Sequence, residues 1–223
     1  MAKKRGPKAP PSIRSISDPP AKENVTLTTL PSQTLLHRVH PEQYGATEFN
    51  GSKNGDARFS PMIEDDGVVV PTVYAGTTLD CALMETAFHD VAKQPGFKTQ
   101  DKAKLRRLSH STISTTADLQ LAALTTVALT KLGLNRRDII DTEADRYPET
   151  RAFARMLRDA CPELQGLTWV SRQDDTARAF VFFEDRMPAH ALKQEGVSRN
   201  VLTDDDTYQA VQDLSERLGV LLT

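Results

Sequence analysis

The apolar positions of this chain fall into two kinds of pattern: short β-branched or alternating runs, and longer stripes with helical spacing. QTLLHRV (33–39) predicts a strand stopped by Pro41. The stretch YGATEFNGSKNGDARFS (44–60) carries Asn-Gly turn signals at 50–51 and 54–55, and a short strand is predicted at 58–60. VVVPTVYAG (68–76) is β-branched and apolar, with Pro71 marking an edge position or a strand start. Thr77 or Thr78 then caps a helix predicted to run to about Lys93. Downstream, residues 102–115 alternate in their second half, and 117–134 predict a short strand or loop followed by a helix ending at Gly133. RYPETRAFARMLRDA (146–160) sets Phe153, Met156 and Leu157 on one stripe of an amphipathic helix. Strands are predicted at 166–172 and 177–185, the second apolar on both faces and so expected in the middle of a sheet. DDDTYQAVQDLSERLGVLL (204–222) predicts a closing amphipathic helix capped by Asp204 or Asp205. Strands and helices mix without regular βαβ alternation and without repeats, which places the chain in the α+β class.

One acid interrupts this pattern. Within VYAGTTLDCALMETAFHD (73–90) the predicted helix is apolar around most of its circumference, and Glu85 sits in its middle. Periodicity puts it at the edge of the apolar stripe, between a solvated and a buried position. A buried carboxylate costs several kcal/mol unless it has a partner.

Composition adds bounds. The 223 residues are 39% hydrophobic and 26% charged, ordinary for a soluble globular protein. The net charge of −2 hides an asymmetry. Residues 1–22 hold six basic residues and one acid, Asp18, a net +5 that leaves about −7 on the remainder. Five of the 13 prolines also fall there. We therefore expect a basic, Pro-rich leader over 1–30, disordered or extended, and a single domain over 31–223. No apolar run approaches the roughly 18 residues that span a bilayer, and no apolar stretch follows the basic start, so a cytoplasmic protein is expected. Cys81 and Cys161 lie far apart in helical patterns and read as reduced core thiols. His37 and His40 are too few to indicate a metal site. There is no GxGxxG after a strand, no GxxxxGK[ST], no HExxH and no GxSxG.

What remains is a set of residues standing where local rules would not place them. Arg38 interrupts an apolar strand, Arg58 follows a Gly-rich loop, Tyr74 ends a strand before the Glu85 helix, and Ser171 ends LTWVS. Strand ends and the loops beyond them are where small-molecule sites gather. The joint pattern LHRV…ARFS…VYAG…ALMET…WVSR resembles the RES-domain family over roughly residues 35–190. The interval of 11 from Tyr74 to Glu85 is similar to the family's, and Arg38, Arg58 and Ser171 match its two arginines and its serine. Phe59 stands where the family usually has Trp, the interval from Arg58 to Tyr74 is long at 16, and ARAFVFF lacks the asparagine often found on that strand.

The resemblance implies a mixed twisted β-sheet flanked by helices, similar to ADP-ribosyltransferase toxins. It implies the toxin of a toxin–antitoxin pair that consumes NAD as a substrate and needs no metal. Members cleave the nicotinamide–ribose bond and pass ADP-ribose to water, phosphate or a protein, in one case phosphoribosylpyrophosphate synthetase, arresting growth. On that reading Glu85, Arg58 and Tyr74 are catalytic, and Arg38, Arg58, Tyr74 and Ser171 bind NAD. The chemistry needs such residues. A carboxylate stabilises an oxocarbenium-like ribose, arginine forks suit a diphosphate, and an aromatic face suits cationic nicotinamide. Transfer to a protein is expected ahead of NAD hydrolysis or phosphorolysis, and a cognate antitoxin is expected to occlude the site. Two other classes stay open: a nucleic-acid-binding or ribonuclease toxin using the basic leader and KAKLRR (102–107), disfavoured by the acidic remainder, and a non-catalytic interaction protein.

Overall fold

Each strand-like run leaves backbone donors and acceptors that a neighbouring strand must satisfy once the run is buried. The computed structural model describes residues 15–89, 91, 96–172 and 174–223. In chain order it contains β1 (Leu27–Leu30), β2 (Leu35–Pro41), β3 (Met62–Ile63), β4 (Val69–Val70), β5 (Thr72–Gly76) and α1 (Leu79–Thr86). Then come β6 (Lys98–Gln100), α2 (Lys102–Leu105), β7 (Leu108–Thr115), β8 (Leu119–Ala123), α3 (Thr126–Lys131) and α4 (Arg136–Ile139). The remainder holds α5 (Tyr147–Ala160), β9 (Gly166–Val170), β10 (Arg178–Phe183), β11 (Leu192–Asn200), α6 (Asp205–Arg217) and β12 (Val220–Leu222). Eight strands form one sheet in the order β1-β8-β9-β10-β5-β2-β7-β11, antiparallel except for the β8–β9 pair. This is the α+β class expected, with a mixed sheet.

The apolar character of β10 on both faces explains its central place. Phe180 and Phe182 stack on one side with Val73, Ala75 and Leu121, while Val181 and Phe183 join Leu167, Trp169, Phe153 and Leu157 on the other. Fully burying one such side chain contributes roughly 1.5–3 kcal/mol. A third cluster wedges α1 against α6: Leu83, Met84 and Phe88 meet Val39, Val211 and Leu214. That wedge is why Cys81, Ala82, Leu83 and Met84 are buried in succession. Gly76 makes the turn from β5 into α1 possible, since a Cβ there would lie 2.8 Å from Cys81 Sγ. Thr78 caps the helix by accepting from Cys81 N at 3.1 Å. Both cysteines are free and buried, as expected.

Several expectations are corrected. Residues 58–60 form a turn closed by an Ala57–Ser60 bridge, not a strand. Helix α1 ends at Thr86, closed by Phe88 N bonding back to Leu83 O at 3.0 Å, and residues 90 and 92–95 of the longer helix expected lie outside the described residues. Pro71 separates β4 from β5, which starts at Thr72 and lies between β10 and β2, so the strand-start reading holds and the edge reading does not. The closing helix stops at Arg217. Gly219, at φ 64, turns the chain so that β12 pairs in parallel with β6. Residues 1–14 of the leader lie outside the described residues, but its end is not separate from the domain, because β1 pairs with β8 in the main sheet. Strand β11 was not expected: its mostly exposed KQEGVSRN has no apolar alternation, yet it pairs along β7.

Two predictions follow from this packing. Adding a methyl group in Gly76→Ala forces Cys81 and α1 away from β5 at a cost of roughly 1–3 kcal/mol. A lowered melting temperature is expected, and an unchanged one would show that the helix yields freely. His37 Nδ1 and His110 Nε2 sit 3.0 Å apart in stacked rings. Burial, then the neighbouring His37 and Arg199, push His110 from 6.5 down to about 4. The unfolded chain therefore binds the proton first, so stability is lost as pH falls from 6.5 towards 4. Thermal melts should show this slope, and His110→Gln should make it shallower, while His37 and His40, which burial also pushes down, keep the rest.

Candidate active site

The site forms where β5 and β9 end and β10 begins. Thr77 and Arg178 lock β5 to β10 through Thr77 N donating to Arg178 O at 2.9 Å and Arg178 N donating to Thr77 Oγ1 at 3.0 Å. Just past β9, Ser171 N donates to Ala177 O at 2.9 Å, which fixes the backbone of a residue that is 0% exposed. Its hydroxyl donates to Glu85 Oε1 at 2.9 Å. The half-buried carboxylate thus has a fixed partner from another element. One turn earlier, Cys81 is held protonated: burial, followed by the charge of Glu85, pushes its thiol up to about 12.

Tyr74 lies on β5, its ring edge-to-face with Trp169 at 6.3 Å between centroids. Its hydroxyl accepts from Phe59 N at 3.0 Å, and burial pushes it up to about 12. Tyr74 therefore stays a neutral phenol that holds the turn carrying Arg58. The Arg58 guanidinium packs over Tyr147 at 5.2 Å and spends Nη1 on Ile139 O (3.2 Å) and Thr142 Oγ1 (2.5 Å). Burial lowers its pKa, while Tyr147 and Glu85 oppose the shift. Arg38 is 3% exposed, donates Nη1 to Gly45 O (3.1 Å) and Ala46 O (2.7 Å), and is pushed by burial to about 10, so it remains a cation at neutral pH.

Glu85 and Tyr74 form a wall between two spaces. One is a chamber of about 20 Å³, room for about one water, that also touches Arg58, Tyr147 and Arg172. The other is a cleft of about 310 Å³ lined by Arg38, His40, Tyr44 and Asn50. All five sequence candidates are thus brought together, with Arg38 on the side of the cleft and Arg58 on the side of the chamber. Both arginines also brace loops, which sequence reading had not assigned to them. Ser171 acts on Glu85 and lines neither space.

Sequence reading missed Arg172, Tyr147, Asn50 and the cleft position of His40. Arg172 stood in the WVSR motif beside Ser171. It donates to Thr142 O at 2.8 Å and pairs with Glu143. Tyr147 read as an ordinary start of a helix. His40 is set as a neutral ring, with Nδ1 donating to Pro41 O at 3.1 Å, Nε2 against Ser111 Oγ at 2.8 Å, and burial lowering its pKa. Among the described residues no group of three or more His, Cys, Asp or Glu side chains forms a metal site, and no helix is long and apolar enough to cross a membrane.

Comparison with known proteins agrees with this fold. A chain of the M. tuberculosis MbcT–MbcA toxin–antitoxin complex superposes with a TM-score of 0.60 at 19% identity, over 84% of this chain and 92% of that one. No curated protein matches. The RES domain model matches residues 35–218, which takes in Arg38, Arg58, Tyr74, Glu85 and Ser171. The chain belongs to the RES-domain family.

Proposed function

We propose that this chain is the toxin of a toxin–antitoxin pair and that it consumes NAD, passing ADP-ribose to a protein acceptor. The observation that carries the reading is the buried Ser171 hydroxyl fixing the Glu85 carboxylate, 2.9 Å away, at a wall shared by two spaces that each hold an arginine. A carboxylate fixed in advance at a partly water-excluded point is complementary to a cation that develops beside it. Heterolysis of the C1′–N bond of NAD makes such a cation: the bonding pair leaves on neutral nicotinamide, and positive charge spreads over C1′ and the ring oxygen. The acceptor's lone pair then bonds to C1′, and its proton passes to Glu85 or to water. Arg38 and Arg58 supply positive charge for the diphosphate, and Tyr74 the aromatic edge of the wall. A nucleotide-biosynthesis enzyme such as phosphoribosylpyrophosphate synthetase is the acceptor we favour. The antitoxin partner is assigned to the cleft mouth, where it would exclude NAD.

Labelled NAD incubated with the purified chain and cell lysate tests the reading. A labelled protein band is the expected result. Free ADP-ribose would replace transfer by hydrolysis, and ADP-ribose phosphate would replace it by phosphorolysis. No loss of NAD would remove the proposal. Glu85→Gln should lower NAD consumption by about 10²–10³-fold with an unchanged melting temperature. A folded variant with full activity would refute the role given to the acid. Ser171→Ala should cost roughly tenfold, the scale of one hydrogen bond to a charged group, seen mainly in kcat.

A further inference from the structure

The cleft beside Glu85 contains a side-chain amide whose orientation is set by the protein. Asn50 Oδ1 accepts from the Tyr44 hydroxyl at 2.9 Å and from Ser52 N at 2.9 Å. A carbonyl oxygen has two lone-pair directions, so both are occupied and the amide cannot turn over without losing two bonds. The Asn50 backbone is tied in both directions to Thr72 on β5: Asn50 N donates to Thr72 O at 2.9 Å, and Thr72 N donates to Asn50 O at 3.1 Å. Thr72 stands two residues before Tyr74 on the same strand, so the amide and the wall of the site share one rigid support. What remains is Nδ2, with two N–H donors and no hydrogen-bond partner among the described residues, in a residue that lines the cleft together with Arg38, Tyr74 and Glu85.

We propose that Asn50 is a substrate-binding residue, its Nδ2 donating to an oxygen acceptor of the molecule held in the cleft, with Tyr44 as the positioning residue that keeps the amide facing it. The inference rests on the NAD reading and deepens it. Because Oδ1 is saturated, Asn50 cannot make the paired donor–acceptor contact that reads an adenine edge. It recognises a group through that group's acceptor alone. The neutral His40 ring offers this ligand no donor, since its Nδ1–H is held by Pro41 O. In NAD the nicotinamide carboxamide carbonyl and the diphosphate oxygens are acceptors that carry no proton, and the ribose hydroxyls can accept as well.

The test uses Asn50→Asp, which keeps the two accepted bonds and replaces the donors by a negative oxygen. Folding is checked by thermal melting. KM for NAD should rise by at least about tenfold, with kcat changing less, because a donor is lost and a charge repels the acceptor. Tyr44→Phe should raise KM only a few-fold, as Ser52 N still holds the amide. Nicotinamide and ADP-ribose are used as separate inhibitors. Weakened inhibition by ADP-ribose alone assigns the contact to its diphosphate or ribose oxygens, and weakened inhibition by nicotinamide alone assigns it to the carboxamide. A folded Asn50→Asp protein with unchanged KM and unchanged inhibition by both overturns this inference and leaves the NAD reading standing. A wild-type chain that neither consumes NAD nor binds ADP-ribose or nicotinamide overturns both.

Discussion

A carboxylate on a helix wedged between a sheet and another helix is tolerable when something supplies what water no longer does. For Glu85 that supply includes the hydroxyl of Ser171, itself wholly buried and pinned through its backbone to Ala177. The bond stands only if β9, β10 and β5 keep their register, because Ser171 lies just past β9, Arg178 starts β10, and Thr77 follows β5. The sheet order, the locked strand ends and the close approach at Gly76 all serve to hold the two oxygens 2.9 Å apart.

The cations around the acid are treated in the same way. Arg38 and Arg58 are desolvated, and burial acts against the charge of each. Backbone carbonyls at Gly45, Ala46 and Ile139 take over part of the lost hydration. Charge is thereby held in place beforehand, which reduces the reorganisation needed in the proposed reaction, where positive charge moves from the nicotinamide ring to the ribose. The same bonds make each arginine a brace for the loop it touches. Substituting either one changes shape and charge together, and for that reason Glu85 and Asn50 are cleaner points at which to probe the site.

Much of this was legible in the chain, for a physical reason. Strands with strong two-sided apolar character, such as RAFVFF, announce their central position, and α5 and α6 announce their buried stripes. Arg38, Arg58, Tyr74, Glu85 and Ser171 were visible as residues that break local rules, and the family pattern gathered them. Strand β11 was not legible because an exposed edge strand buries too little to impose alternation. Nor was Asn50: an Asn before a Gly reads as a turn, and its second use, with Oδ1 saturated by Tyr44 and Ser52, depends on bonds that local composition does not encode. The end of α1 at Thr86 reflects tertiary packing around Phe88, against a pattern that would have allowed a longer helix.

The sequence distances spanned by the site carry a kinetic consequence. Ser171 and Glu85 are 86 residues apart, and Arg58 and Thr142 are 84 apart. Contacts this remote close late, after the entropy of large loops has been overcome, so no local fragment assembles the constellation on its own. A nascent or half-folded chain consequently lacks the constellation, and the chemistry proposed above would switch on only with the completed sheet. For the toxin proposed above, topology itself then sets a delay between synthesis and harm, an interval in which the proposed partner can reach it first.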